Sequence, residues 1–142
     1  MKDSKVIGRT VSISIPAGGV LDLLAKVDTG ADGSSIWASN ISEEAGVLRY
    51  CLLGPESDKY TGQVIETSDY SFVRVKNSFG ESERRYRVRL TVKIEGRKVR
   101  ARFSLANREL KSYPALIGRR LLHKKFTVDV SKYHKSPINR SK

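Results

Sequence analysis

The sequence predicts an all-β domain with one short helix near its C-terminus, and three observations carry that expectation. Polar and apolar residues alternate over Thr10–Ile15, over Ser71–Lys76 and, most clearly, through Tyr86–Ile94 and Val99–Leu105; a period of two marks a half-buried strand. The apolar runs are short and are separated by Gly, Pro, Asn and Ser clusters, which punctuate turns. No stretch carries the period of a long amphipathic helix, and no internal repeat is present. A chain of 142 residues with 39% apolar content suits one compact core.

Taken in order, Thr10–Ile15 is the first strand and Pro16-Ala17-Gly18-Gly19 a turn. Val20–Val27 is the next strand and ends on Asp28. Ile36-Trp37 resumes apolar character, and Val47–Leu53 reads as another strand. Gly54–Gly62, with Pro55, is a polar loop. Ser71–Lys76 alternates and leads to a turn at Asn77-Ser78-Phe79-Gly80. The long hairpin follows. A two-residue connection at Glu95-Gly96 fixes its register, pairing Val92 with Val99, Leu90 with Ala101, Val88 with Phe103 and Tyr86 with Leu105. One face is then apolar throughout. Tyr113–Leu122 reads as a short buried strand, a glycine and a short helix with His123 at its end; Trp37 and Phe126 read as core. The domain is expected over 1–130, followed by a basic, poorly ordered tail over 131–142.

The other face of the hairpin carries Arg85, Arg87, Arg89, Lys93, Lys98, Arg100 and Arg102. In this register Lys93 opposes Lys98 and Arg89 opposes Arg102, an unfavourable placement for like charges. Two readings stand: a solvated outer face, or an anion-binding stripe. The net charge of +12, from 27 Lys and Arg against 15 Asp and Glu, attracts polyanions in either case.

Asp28-Thr29-Gly30-Ala31 is the segment that speaks to chemistry. A carboxylate at the end of an apolar strand needs hydrogen bonds or a proton, and Gly30 lets another backbone come close. The bland alternative is an Asx-type turn. About ninety residues on, Leu116-Ile117-Gly118-Arg119 repeats the grammar of apolar strand, glycine and polar turn. Together the two segments resemble the retropepsin type of aspartic peptidase. The match is nearest to a bacterial and archaeal family labelled as ATP-dependent zinc proteases. Its members share K-V-D-T-G-A (Lys26–Ala31), E-R-R-Y-R-V (Glu83–Val88), N-R…Y-P-x-L-I-G-R-R-L-L (Asn107–Leu122) and F-T-V-D-V (Phe126–Val130).

The resemblance implies a small closed acid-protease barrel and an endopeptidase in which two carboxylates share a proton and activate water. The chain has one Asp-Thr-Gly and no second Asp-Thr-Gly or Asp-Ser-Gly. A complete dyad therefore requires a homodimer, with Asp28 facing its symmetry mate. In the resemblance Thr29 locks the two loops together, Gly30 accepts substrate backbone, and Asp32 pairs with Arg119 beside Gly118. The alternative for Asp32 is a turn or cap. A flap is sought in Gly54–Gly80, with Gly62 and Gly80 as hinges, although the compact glycine cluster of viral flaps is missing. An ordinary loop is the alternative there. The terminal strands that knit viral dimers are not recognisable.

Neither zinc nor ATP finds support in the residues. His123 and His134 are the only histidines, they form no metal-ligand spacing with each other or with Cys51, and no phosphate-binding loop is present. No cofactor is expected. Ser34 and Ser35 have no evident His–Asp partners. One cysteine permits no intrachain disulfide, and Met1–Arg9 has no signal-like apolar core. These point to the cytoplasm, or to the periplasm if a leader was removed. Relatives lie in genomes beside ATP-grasp ligases that add glutamates to protein tails, which with the net charge suggests acidic substrates. Two further functions remain open: a non-catalytic, monomeric module that binds acidic tails, and a basic β-barrel that binds nucleic acid. Against the last, the hairpin's charged face has no aromatic residue for base stacking.

Overall fold

The computed structural model describes residues 4–76 and 79–133. Asn77 and Ser78 of the expected turn, His134 and the rest of the expected tail (134–142) lie outside the described residues. In chain order the elements are β1 (Lys5–Ile7), β2 (Thr10–Ile15), β3 (Val20–Val27), β4 (Ser34–Glu44), β5 (Val47–Leu52), β6 (Val64–Thr67), β7 (Tyr70–Lys76), β8 (Ser82–Ile94), β9 (Arg97–Ala106), β10 (Ala115–Ile117), α1 (Arg119–Leu122) and β11 (Phe126–Val128).

Six strands close into a barrel in the order β10-β3-β2-β8-β9-β4, with β4 returning to β10. The closing strand is only three residues long. It pairs in parallel with β3, Ala115 beside Ala25 and Ile117 beside Val27, and antiparallel with β4, Ala115 beside Ile36. Its two inward residues are fully buried, and Ala115 is small enough to sit where the two flanking strands converge. The rest of the core is branched and aromatic: Ile13, Ile15, Ile36, Val92, Ile94 and Phe103 have no solvent exposure. Trp37 and Phe126 are also buried, and His123 caps the C-terminal end of α1.

The long hairpin has the register that its alternation predicts, with Val92 opposite Val99, Leu90 opposite Ala101 and Val88 opposite Phe103. Glu95 and Gly96 both have positive φ, 52° and 76°, which is the two-residue turn whose twist matches the strands. The expected Tyr86–Leu105 pair does not form. The ladder ends at Arg87–Ser104; Arg87 and Val88 still pair on both edges, but beyond them β8 has only β7 beside it among the described residues, with Tyr86 opposite Phe72.

From there β7 and the first half of β8 form an arm, paired from Tyr70–Val88 to Lys76–Ser82. Among the described residues β7 pairs with no other strand. Glu43, near the end of β4, holds the root of the arm. It accepts hydrogen bonds from the Tyr70 hydroxyl at 2.5 Å and the Tyr86 hydroxyl at 2.9 Å, with Arg84 at 3.4 Å. Tyr86 packs edge-on against Tyr70 and Phe72, and the Arg84 guanidinium lies 4.1 Å from the Phe72 ring centre. The Tyr70 and Tyr86 hydroxyls keep the Glu43 carboxyl below its ordinary pKa.

The first and last strands of the described residues meet. β1 and β11 form a parallel two-stranded sheet, with Lys5, Val6 and Ile7 beside Phe126, Thr127 and Val128. The Asp129 N–H donates to the Ile7 carbonyl at 2.8 Å and the Arg9 N–H to the Lys132 carbonyl at 2.7 Å. The Arg9 guanidinium sits 4.2 Å from the Tyr133 ring centre.

Candidate active site

Asp28 is set where β3 runs out against the closing strand. Its N–H donates to the Ile117 carbonyl at 2.9 Å, so the β3–β10 ladder extends one step into the loop. The chain then turns, with the Ala31 N–H donating to the Asp28 carbonyl at 3.2 Å and the Gly30 N–H to the Asp28 carboxylate at 3.1 Å. The Asx-type turn is therefore present. It does not exhaust the carboxylate, which is half-buried beside exposed Thr29 and Gly30.

The start of α1 holds this loop from below. Arg119 donates its N–H to the Ala31 carbonyl at 2.8 Å, and Arg120 its N–H to the Asp32 carbonyl at 3.1 Å. These are first-turn amides that a helix leaves without internal partners. The Arg119 guanidinium donates to the Thr29 carbonyl at 3.1 Å. Gly118 packs directly on the loop: a Cβ there would lie 2.3 Å from the Gly33 carbonyl oxygen and 3.0 Å from that of Ala31. The Gly118 N–H donates to the buried Ser34 hydroxyl at 3.0 Å. Ser34, which sequence reasoning considered only as a nucleophile, is thus a buried link between the two motif segments.

The expected Asp32–Arg119 pair is present at 3.7 Å, and Arg120 joins it at a shorter 3.0 Å. The reason lies in the helix start, where the Arg119 fork is already turned to the Thr29 carbonyl. All three side chains are more than half exposed, 59% for Asp32, 55% for Arg119 and 74% for Arg120. The contact is therefore a solvent-exposed ion-pair cluster, and such pairs stabilise by at most about 1 kcal/mol. The backbone hydrogen bonds hold the loop.

Beside Thr29 lies a groove of about 410 Å³, floored by Leu122, Phe126 and Val128 and rimmed by Arg119, His123 and Lys124. The Gly54–Gly80 stretch divides. Its first part is tied to the barrel, with the Thr61 hydroxyl donating to the Gly18 carbonyl and the Gln63 amide to that of Ala17, both at 2.8 Å. Gly62 sits in that anchored part. Only the end of the stretch, β7 and Gly80 (φ 82°), belongs to the projecting arm.

The basic hairpin face is uneven. Arg87, Arg89, Arg100 and Arg102 line three adjoining depressions of about 350, 110 and 300 Å³, and Arg102 is common to all three. Arg120 and Lys125, not anticipated from the sequence, complete the largest. Arg85 instead forks onto Glu83 at 3.1 and 3.3 Å; Lys93 and Lys98 face each other, exposed, near the turn. Asp69 approaches Arg89 at 3.8 Å. Among the described residues no group of three or more His, Cys, Asp and Glu side chains is arranged to hold a metal, and no helix is long and apolar enough to cross a membrane.

Comparison with known proteins places this geometry. A family model described as "RimB-like: Retropepsin-like aspartic endopeptidase RimB" matches residues 6–137. Two proteins named "Probable alpha-L-glutamate ligase" match over 92% of this chain, from Shewanella pealeana at 32% identity and Shewanella halifaxensis at 31%. A third of the same name, from Desulfotalea psychrophila, matches 88% of the chain at 27% identity. The chain spans about three tenths of the length of these relatives, 30%, 30% and 28%. A crystal structure of a Legionella pneumophila protein of unknown function superposes with a TM-score of 0.71 at 26% identity, covering 92% of this chain and 97% of that one.

Proposed function

We propose that this chain, which belongs to the RimB-like family of retropepsin-like aspartic endopeptidases, is one half of a two-chain endopeptidase with Asp28 as its catalytic carboxylate. The observation that carries the reading is the loop itself. The Asp28 N–H bonds to the Ile117 carbonyl, the Arg119 and Arg120 N–H groups donate to the Ala31 and Asp32 carbonyls, and the carboxylate is left half-exposed. A single Asp28 can take a proton from water but cannot also protonate the carbonyl oxygen. Two can. One carboxylate accepts a proton as the water oxygen bonds to the carbonyl carbon, and the other, protonated, gives its proton to the carbonyl oxygen. Collapse of the resulting diol breaks the C–N bond as a proton passes to the leaving nitrogen. Close like charges keep one proton in such a pair, and the pair titrates as a unit.

The groove beside Thr29 is the surface we assign to the second copy, since it borders the loop and is apolar at its floor. The β7–β8 arm is the segment we assign to cover bound substrate. Acidic peptides are the proposed substrate class: three relatives are named as glutamate ligases, and this chain carries a net charge of +12. The test is cleavage of a glutamate-tailed peptide across acidic and neutral pH. Cleavage that Asp28→Asn abolishes is expected; cleavage indifferent to that change, or none at any pH, refutes the proposal.

One observation favours a second reading, a monomeric module that binds acidic tails without cutting them. β1 and β11 already pair with each other within one chain, so they are not free to form a sheet by exchange with another copy. Molecular mass in solution separates the two readings, because a chain that stays monomeric with substrate present cannot assemble the dyad.

A further inference from the structure

We propose that the outer face of the β8–β9 hairpin is an exosite that grips the carboxylates of an acidic peptide, seated chiefly in the depression between α1 and β9. It rests on the peptidase reading for its purpose, but the binding it describes is a property of this face alone. The largest of the three hairpin depressions, about 350 Å³, is lined by Arg87, Arg100, Arg102, Arg120 and Lys125 against one carboxylate, Asp32. Asp32 is already engaged by Arg119 and Arg120, so the cationic excess in the cavity is uncompensated. The Nε of Arg87 is buried and has no hydrogen-bond partner among the described residues. A buried donor without an acceptor is costly, and an incoming carboxylate oxygen would relieve it.

The register repeats this chemistry along the hairpin. Arg89 lies directly opposite Arg102, and the remaining two depressions are built around them. Like charges held face to face destabilise a strand pair, and an anion between them reverses the sign. Side chains on one face of a strand recur every two residues, about 7 Å apart. Arg100 and Arg102, like Arg87 and Arg89, therefore present forks at the spacing of alternate side chains in an extended peptide. Guanidinium forks match carboxylates two bonds at a time. Bases would need a flat aromatic platform. Among the described residues Tyr70 is the only aromatic one lining these three cavities, and its hydroxyl is committed to Glu43. The large depression is walled by Asp32, Gly33 and Ser34, the downstream end of the Asp28 loop. A peptide held there is held next to the proposed site of cleavage.

The test is binding of fluorescein-labelled hexaglutamate by anisotropy, in the full chain carrying Asp28→Asn so that cleavage cannot intervene. Arg100→Gln with Arg102→Gln is compared with Lys59→Gln and Lys111→Gln, an equal loss of charge at exposed residues elsewhere. Removing Arg102 relieves its repulsion with Arg89, so the fold is not at risk, and a thermal melt checks it. We expect the arginine pair to weaken binding about tenfold, or about 1.4 kcal/mol, and the lysine pair less than about twofold. Equal losses would mean that net charge alone attracts the peptide, and would overturn the proposal. So would a DNA duplex that binds more tightly than hexaglutamate and shows the same arginine dependence. Cleavage by the Asp28 form is followed separately. If it cleaves while the arginine pair leaves binding intact, the exosite fails and the peptidase stands; if nothing cleaves but the arginine pair abolishes binding, the reverse holds.

Discussion

Ser34→Ala tests how the two motif segments are joined. The Ser34 hydroxyl is 6% exposed by residue and accepts the Gly118 N–H at 3.0 Å. Alanine fits the same space, so no cavity opens. What is lost is the acceptor, and a buried N–H left without one costs about 1–3 kcal/mol. With an unfolding entropy of about 2.1 cal/mol/K per residue, 142 residues give about 0.3 kcal/mol/K. A loss of about 2 kcal/mol then lowers Tm by about 7 °C. The assay is a thermal or urea melt at matched protein concentration, since any self-association moves the midpoint. Ser35→Ala, one residue along and facing the other side of β4, serves as the control and is expected to cost less than about 0.5 kcal/mol. Amide exchange adds a local readout, in which Gly118 exchanges faster in the Ser34 variant. Equal small losses in both variants, with Gly118 exchange unchanged, would refute the claim that this hydrogen bond joins the segments.

Two other perturbations have definite outcomes. Gly118→Ala puts a Cβ against the Gly33 and Ala31 backbone, which has no side chain to swing aside; a loss of about 3 kcal/mol or more is expected, and a melt indistinguishable from the parent would show that the loop does not rest on Gly118. Glu43 is held below its ordinary pKa by the Tyr70 and Tyr86 hydroxyls, so its hold on the arm is complete above the usual carboxylate range and is lost as pH falls through the depressed value. Exchange protection of β7, corrected for intrinsic rates, should fall with acid in the parent and be low and flat in Glu43→Gln; identical profiles would sink the latch.

The hairpin was legible because two independent signals agree: alternating apolar positions, five on the way out and four on the way back, and a two-residue turn ending in Gly96. Asp28 and Gly118 were legible as motifs. What held them together was not. Ser34 looks like an ordinary strand serine until β4 and β10 are adjacent, and those strands are about eighty residues apart in the chain. That Arg120 joins Arg119 on Asp32 depends on which fork the first helical turn frees, a matter of rotamers rather than order along the chain. The Phe126–Val130 segment, which contains β11, is legible as a strand, but β1 is not. Its three residues carry too little period to announce a strand, and its pairing with β11 joins opposite ends of the domain. The Glu43 clasp on Tyr70 and Tyr86 lies at the exposed end of β4, where a polar run reads as solvated surface. The arm's Tyr86 left its expected partner Leu105 because strand departure from a barrel is a tertiary event.

The pairing of β1 with β11 has a mechanical side. The strands are parallel, so a pull on the N-terminal end of one and the C-terminal end of the other drives them past each other along their length. Their hydrogen bonds, together with those from Arg9 to Lys132 and from Asp129 to Ile7, are then loaded all at once rather than peeled one by one. Tension carried through a longer polypeptide would meet this short seam in shear before it reached the barrel, and Asp28 would stay in register until the seam gave way.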